Sequence, residues 1–295
     1  MDETQIQQVR RFNRAVTRRI GALSDDYLGR GRPLAESRLL FEIGREGADV
    51  RDLRERLALD SGYASRLLRS LESQGLVESQ RGKGDARVRR AVLTRKGRRE
   101  WEALDRRSAD FAASLLGSLG ASQRERMIAA MAEVERLMRA SAVTIEVADP
   151  ASAEARACMA AYFRELDERF VEGFDPARSA AAPESLAPPS GLFLIARLDG
   201  KAVGCGALRV QARGLGELKR MWVDASARGL GIAQRLLHAL ERHAVDAFGL
   251  HTLQLDTNRA LKEAQALYLR NGYREIRRYN DNPYADHWFE KKGLS

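Results

Sequence analysis

Apolar positions recur at helical spacing through the first 140 residues and then change to strict alternation. The stretch 3–23 predicts a helix, although Arg10, Arg11, Arg14, Arg18 and Arg19 leave it only a narrow apolar stripe. Leu34 to Ile43 predicts a second helix, entered after Pro33 and left near Gly44 and Gly47. Val50, Leu53 and Leu57 predict a third. Asp60 or Ser61 can cap a fourth, with Leu67, Leu68 and Leu71 inward and a stop at Gly75. Two short strand-like runs follow, Leu76-Val77-Glu78 and Ala91-Val92-Leu93-Thr94, and then helices over 96–118 and 122–140. The first of these turns Trp101, Leu104, Phe111, Leu115 and Leu116 inward, and the second presents Met127, Ile128, Met131, Val134, Leu137 and Met138. That methionine-rich stripe reads as a helix–helix contact, for which a second copy of the chain would serve.

Val143-Thr144-Ile145-Glu146-Val147 alternates, so a new domain is expected to begin there, giving domains of 1–142 and 143–295. A helix over 152–169 follows, then a Pro- and Ala-rich segment from Gly173 to Gly191 that reads as a loop or short helix. Leu192 to Arg197 and Ala202 to Gln211 pair as a hairpin across Asp199-Gly200. The run Glu217 to Asp224 is a strand that enters a glycine-bearing turn and an amphipathic helix. Thr252 to Leu255, a helix over 260–271 and strands near 273–279 and 286–291 complete the chain. The fold class expected is therefore a mainly α first domain joined to an α/β second domain.

Charge sharpens that division. The net charge is +9; residues 1–140 hold 29 basic and 21 acidic side chains, a net of +8, which leaves +1 for the remainder. A basic half beside a near-neutral half suggests that one domain meets a polyanion and the other does not. Between Arg81 and Arg99 stand nine basic residues and one acid, well suited to phosphates. Cys158 and Cys205 make no disulfide framework and have no metal-ligand cluster beside them, so no metal is expected and a reducing cytoplasm is the simple reading. No apolar run is long enough for a membrane span, and Met1 to Arg11 is too polar for a signal peptide.

The third and fourth helices are short and tightly joined, and the outer face of the fourth carries Ser61, Tyr63, Ser65, Arg66 and Arg69: a helix-turn-helix pattern. The two strand-like runs around the glycine-rich basic tip, with Lys83, Asp85, Arg87 and Arg89, read as a β-hairpin wing. With Val50-Arg51-Asp52-Leu53, Ser65-Arg66-Leu67-Leu68, Leu71-Glu72-x-x-Gly75-Leu76-Val77, Asp85-x-Arg87 and Leu93-Thr94-x-x-Gly97, the first half resembles the MarR family of winged helix-turn-helix regulators over nearly its whole length. The resemblance implies a homodimer through the terminal helices, duplex DNA as partner, the fourth helix in the major groove and a wing arginine, Arg87, in the minor groove. Asp85 would position Arg87, or serve simply as a turn residue.

In the second half, Gly229 and Gly231 open a helix, where backbone donors and the macrodipole favour an anion such as a pyrophosphate. Arg228-x-x-Gly231-x-Ala233 after a strand matches the coenzyme A signature of the GNAT (Gcn5-related) N-acetyltransferases. Leu255-Asp256-Thr257-Asn258 through Ala264-x-x-Leu267-Tyr268-x-x-x-Gly272-Tyr273 resembles that family's next strand and helix. The resemblance implies the GNAT α/β fold from 143 onward, with acetyl-CoA as cofactor. The turn Arg228, Gly229, Leu230, Gly231, Ile232 and Ala233 would hold the pyrophosphate. Backbone at Met221, Trp222 and Val223 would pair with the pantetheine arm, and an N–H near Val223 would donate to the thioester oxygen.

Acetyl transfer to an amine also needs a proton for the leaving thiolate and a way to deprotonate the amine. The resemblance places Tyr268 as the general acid, with packing as its alternative. Glu217 is the first choice of base, with a strand-edge ion pair as its alternative; His287 titrates in the right range and is the second. Asn258 could cap a helix or contact the coenzyme. Asn282, Tyr284 and His287 are expected beside a small polar, amino-acid-like acceptor. Two functions are carried forward: a fused DNA-binding regulator and N-acetyltransferase, and a regulator whose second domain senses acetyl-CoA or a ligand without turnover.

Overall fold

The computed structural model describes residues 2–81, 89–178 and 182–295. The chain divides into two compact units, Met1–Ala129 and Ala130–Ser295.

In the first unit, α1 (Glu3–Arg19), α2 (Leu34–Ile43), α3 (Val50–Arg56), α4 (Ser61–Ser73) and α5 (Arg95–Gly117) surround a small sheet. Its strands β1 (Ala48–Asp49), β2 (Val77–Arg81) and β3 (Arg89–Leu93) lie in the order β1-β3-β2, all antiparallel. α1 is shorter than its sequence pattern suggests, ending before Gly21, which takes φ +69°. α4 is capped by the Asp60 carboxylate, which accepts from Tyr63 N at 2.9 Å, and it buries Ala64, Leu67, Leu68 and Leu71. Its three leucines join Leu39, Leu40, Leu53 and Leu104 in one core. Arg30 and Arg32 each reach Glu100 on α5 at 2.6 Å. Hydrogen bonding from Arg30, reinforced by Arg32, holds the Glu100 carboxyl down at about 2 against the cost of burial.

The division between units falls inside α6 (Ala121–Ser141), because its last turns pack on the second unit. Arg136 donates to Gly229 O at 2.9 Å, and Arg235 donates to Ala140 O and Val143 O. The α6 stripe finds no cover among the described residues: Ile128 is 50% exposed, Leu137 52% and Met138 55%.

The second unit is a seven-stranded sheet in the order β4-β5-β6-β7-β8-β10-β9. The strands are β4 (Thr144–Val147), β5 (Gly191–Leu198), β6 (Lys201–Ala212), β7 (Leu215–Val223), β8 (Thr252–Thr257), β9 (Arg274–Ile276) and β10 (His287–Lys292). Helix α7 (Ala153–Arg169) covers one face and α8 (Ile232–Phe248) the other, while α9 (Lys262–Arg270) follows β8. β5 is apolar on both sides for this reason: Leu192, Leu194 and Ala196 join Leu236, Leu237 and Leu240 of α8, whereas Phe193 and Ile195 join Ala155 and Met159 of α7. Among the described residues, no helix is long and apolar enough to cross a membrane.

The feature that shapes this unit is the junction of β7 with β8, the one parallel pair of the sheet. It lasts three residues, ending at Glu217 opposite Gln254. Beyond that point the strands part, and a buried ionic brace spans them. Lys219 Nζ lies 2.9 Å from Glu217 Oε1 and 2.7 Å from Asp256 Oδ2. Arg209, Tyr279 and Asn280 also donate to Glu217, and Asn280 and Asn282 donate to Asp256. Burial alone pushes both carboxyls up; Lys219 and the remaining donors outweigh it and hold both below their ordinary values. This network also explains why the strand expected over 273–279 stops at Ile276: Tyr279, Asn280 and Asn282 turn inward to the brace instead.

Two stability predictions follow from these contacts. A Cβ on Gly97, in the first turns of α5, would lie 1.9 Å from Leu76 O, so Gly97→Ala should destabilise the first unit by about 1–3 kcal/mol. Gly117→Ala, where nothing stands within 4 Å, should stay within about 0.5 kcal/mol of wild type. Urea denaturation distinguishes them, and equal effects at both sites would refute the packing argument. Lys219→Met leaves two buried carboxylates without their shared cation and should cost about 3–5 kcal/mol at pH 7. Depressed carboxyls contribute stability above their unfolded values, about 4, and lose it as pH falls through the folded ones. In the variant the folded values rise, so its deficit should narrow between pH 7 and 4.5; a constant deficit would count against the brace.

Candidate active site

β7 ends at Val223, and Asp224 closes the next turn by accepting from Ser226 N at 2.9 Å. Gly229 and Gly231 then take φ +79° and +74°, a left-handed conformation natural to glycine, with open space where a Cβ would stand. Gly231 caps α8, and the N–H groups of Ile232, Ala233 and Gln234 have no acceptor among the described residues. Three aligned donors at a helix start, approachable across two glycines, make a seat for an anion. The donor set fits the pyrophosphate of a coenzyme.

This turn borders a cleft of about 460 Å³. Of the residues expected at the coenzyme, Met221, Trp222, Val223, Arg228, Gly229, Gly231, Ile232, Ala233 and Tyr268 line it. Leu230 does not: its side chain is 6% exposed and belongs to the core under α8, leaving only its backbone in the turn. Glu165, on α7, holds one wall: it accepts from Arg228 at 2.6 Å and from Trp222 Nε1 at 2.9 Å.

A second, smaller cavity of about 70 Å³ opens where β7 and β8 part, between Lys219, Arg220 and Met221 on one strand and Asp256 and Thr257 on the other. The two cavities share Tyr162, Met221 and Tyr268 as walls. Between β6 and β7 the register slips near Cys205 and Ala207, a bulge that releases Arg220 and Met221 from the ladder. Arg220 there adopts φ +58°, which costs ~1–2 kcal/mol for a residue with a Cβ. Arg220 is 8% exposed, and its guanidinium stacks over the Phe163 ring at 4.6 Å.

Tyr268 is 5% exposed, and burial, with Tyr162 and Asp256 adding to it, keeps its phenol protonated far above neutral pH. Burial likewise pushes Tyr162 up to about 12, although Arg220 opposes the rise. Both phenols can therefore give a proton at pH 7 and neither can take one. Glu217 lines neither cavity; its side chain is fully buried and its oxygens are committed to Arg209, Lys219, Tyr279 and Asn280. That placement makes it an anchor of the brace. His287 also lies off both cavities, with Nδ1 2.7 Å from Glu275 Oε1. Asn258 sits on the smaller cavity rather than the coenzyme cleft; its Oδ1 accepts from Ala260 N at 2.8 Å and its Nδ2 donates to Tyr284 O at 2.8 Å. Asn282 and Tyr284 line that same cavity.

Sequence reasoning missed Tyr162, Asp256, Arg220 and Glu165 as site residues. Asp256 was within reach, standing two residues before Asn258 on the face that meets Lys219. Tyr162 and Glu165 carry no local signal, because they arrive from α7 across the sheet.

On α4, Ser61, Ser65, Arg66 and Arg69 are exposed and Tyr63 is half-buried. Arg69 donates to Ser65 O at 3.2 Å, and Arg66 stacks over Tyr63 at 5.4 Å. Arg89 reaches Glu72 at 3.1 Å. Lys83, Asp85 and Arg87 lie outside the described residues.

Comparison with known proteins agrees with this division. Residues 130–273 match the model of the Acetyltransferase (GNAT) family, and residues 30–88 that of the MarR family. A protein of Azospirillum brasilense named IAA acetyltransferase is 41% identical over 112 residues, covering 37% of this chain and 72% of that protein. Among solved structures, a putative acyl-CoA N-acyltransferase of Klebsiella pneumoniae is 32% identical over 52% of this chain and 98% of its own, with a TM-score of 0.41. A probable transcriptional regulator of Pseudomonas aeruginosa is 19% identical over 42% of this chain and 92% of its own, with a TM-score of 0.36. With its glycine turn, its cleft and a relative of this identity and coverage, the chain belongs to the GNAT acetyltransferase family, as an acyltransferase fused behind a MarR-family segment.

Proposed function

We propose that the protein is a bifunctional cytoplasmic regulator, its 1–142 region binding duplex DNA as a homodimer and its 143–295 region transferring acetyl from acetyl-CoA to a small amine. The observation that carries the catalytic part is the meeting of two cavities at Tyr268, Tyr162 and Met221. One has the anion seat that a coenzyme needs and the other is small, polar and partly aromatic. The name of the Azospirillum brasilense relative supports acetyl transfer by this chain as well.

Acetyl-CoA supplies the acetyl group as an activated thioester. The α8 amides and Arg228 would hold the diphosphate of the coenzyme, and the released backbone at Met221 would be open to its other end. Tyr268, protonated and walled from water, gives the proton that the departing sulfur requires. Glu217 holds Lys219, and so the separation of the two strands.

The regulatory part rests on the polar, basic outer face of α4 and on the exposed apolar stripes of α1 and α6. On α1, Val9, Phe12 and Val16 are 57%, 41% and 39% exposed, spaced to share one face. A second copy of the chain covers such stripes at no loss of solubility.

Tyr268→Phe should lower kcat by about 10²–10⁴ while leaving acetyl-CoA affinity near wild type. A thiol-release assay across amines, paired with calorimetry of coenzyme binding, reads both. Unchanged turnover removes Tyr268 as the acid, and coenzyme binding without turnover of any amine favours a sensor over an enzyme. Arg69→Ala should weaken binding to a mixed-sequence duplex and reduce the slope of log K against log salt by about one. An unchanged slope, measured by fluorescence anisotropy, would remove Arg69 from the DNA face.

A further inference from the structure

We propose that Glu165 is a positioning residue of the coenzyme site, its carboxylate fixing Arg228 at the glycine turn and the Trp222 indole beside it before the coenzyme arrives; this rests on the acetyl-transfer reading above. Glu165 is half-buried on α7 and takes donors from three side chains. Arg228 Nη2 donates to both of its oxygens at 2.6 Å, Trp222 Nε1 to Oε2 at 2.9 Å and Arg169 Nη1 to Oε1 at 3.3 Å. All four residues line the larger cleft.

The two arginines are tied at second points as well. Arg228 Nε donates to Val223 O at 3.1 Å, so one edge of its guanidinium is engaged, and Nη1 has no partner among the described residues. Arg169 Nη2 donates to Ala260 O at 2.8 Å and to Glu263 Oε2 at 2.9 Å. A continuous run of contacts therefore joins the glycine turn, through Glu165 and Arg169, to the start of α9, which lines the same cleft.

Charge alone argues against a carboxylate at this place. The α8 amides seat an anion, and like charge across a binding surface opposes association. Glu165 offsets that cost through order. An exposed arginine gives up rotamer freedom when it grips a ligand, and one already held along an edge has less to lose. The carboxylate also serves its partners in a way that an amide of the same shape does not. Oε2 accepts from Trp222 and Arg228, and Oε1 from Arg228 and Arg169, so whichever way a glutamine turned, its nitrogen would face a donor. Positioning and bare charge thus predict opposite signs for the loss of this carboxylate.

Calorimetric titration of coenzyme A into the full-length protein reads that sign, and steady-state assays with acetyl-CoA separate binding from chemistry. Glu165→Gln should raise the Kd for coenzyme A, and the KM for acetyl-CoA, by about tenfold. Its kcat at saturating acetyl-CoA should stay within about twofold of wild type. In an Arg228→Gln background the residue that Glu165 orders is gone, so adding Glu165→Gln should change the Kd by less than about twofold. Glu165→Asp keeps the charge but draws the carboxylate back by one methylene; it too should weaken binding, and it carries the test if Glu165→Gln does not fold. Unchanged or tighter binding of coenzyme A in Glu165→Gln overturns the proposal while leaving acetyl transfer standing. So does an equal penalty with and without Arg228, which marks general damage to the fold, or a fall in kcat at unchanged KM. A wild-type protein that neither binds coenzyme A nor turns over any amine refutes the acetyl-transfer reading itself, and this assignment with it.

Discussion

The second unit depends on one constraint: two parallel strands that pair for three residues and then must stay apart. Pairing the rest of β7 and β8 would satisfy more backbone, so something has to make separation the better state. Lys219 does this by sitting between Glu217 and Asp256, at 2.9 and 2.7 Å, in a space where both carboxylates are already ringed by Arg209, Tyr279, Asn280 and Asn282. A brace of this kind carries little net stability relative to a well-packed apolar one, because desolvation offsets attraction. Its value lies in geometry, since the gap it holds open is the smaller cavity, and the larger cleft shares a wall with it.

The β6–β7 bulge acts in the same region from the other side. By dropping Arg220 and Met221 out of the ladder, it sets Arg220 on the wall of the smaller cavity and leaves Met221 on the wall common to both spaces. The local cost of Arg220 at φ +58° is met by its stacking on Phe163 and by burial between α7 and the sheet. Brace and bulge thus divide the work: one separates the strands, the other furnishes the space with side chains that a regular strand would have pointed elsewhere.

How much of this was readable follows from range. The Asp60 cap, the glycine turn before α8 and the hairpin of β5 with β6 are local signals, and all emerge where expected because tertiary context agrees with them. Leu230 was read as part of the turn, yet its side chain joins the core, since a turn of six residues cannot present every side chain to one cleft. Glu217 looked like a base because it sits on the strand where the resemblance asks for one. Its place in the brace emerges only once Arg209, eight residues earlier, and Tyr279, 62 residues later, are known to reach it. The bulge at Arg220 is invisible without the cross-strand register, and Tyr162 without the crossing of α7.

The arrangement of charge bears on how an amine could lose its proton with no open base at hand. Both carboxylates of the brace are held ionised and fully engaged, and both phenols at the cavity junction are held protonated. On the proposed reading, an ammonium entering this cavity meets Lys219 and Arg220 on its walls. Nearby like charge disfavours the protonated form and lowers the amine's pKa, which does part of what a basic carboxylate would do. Deprotonation is then helped by one ammonium and one guanidinium carried side by side on β7, where it parts from β8.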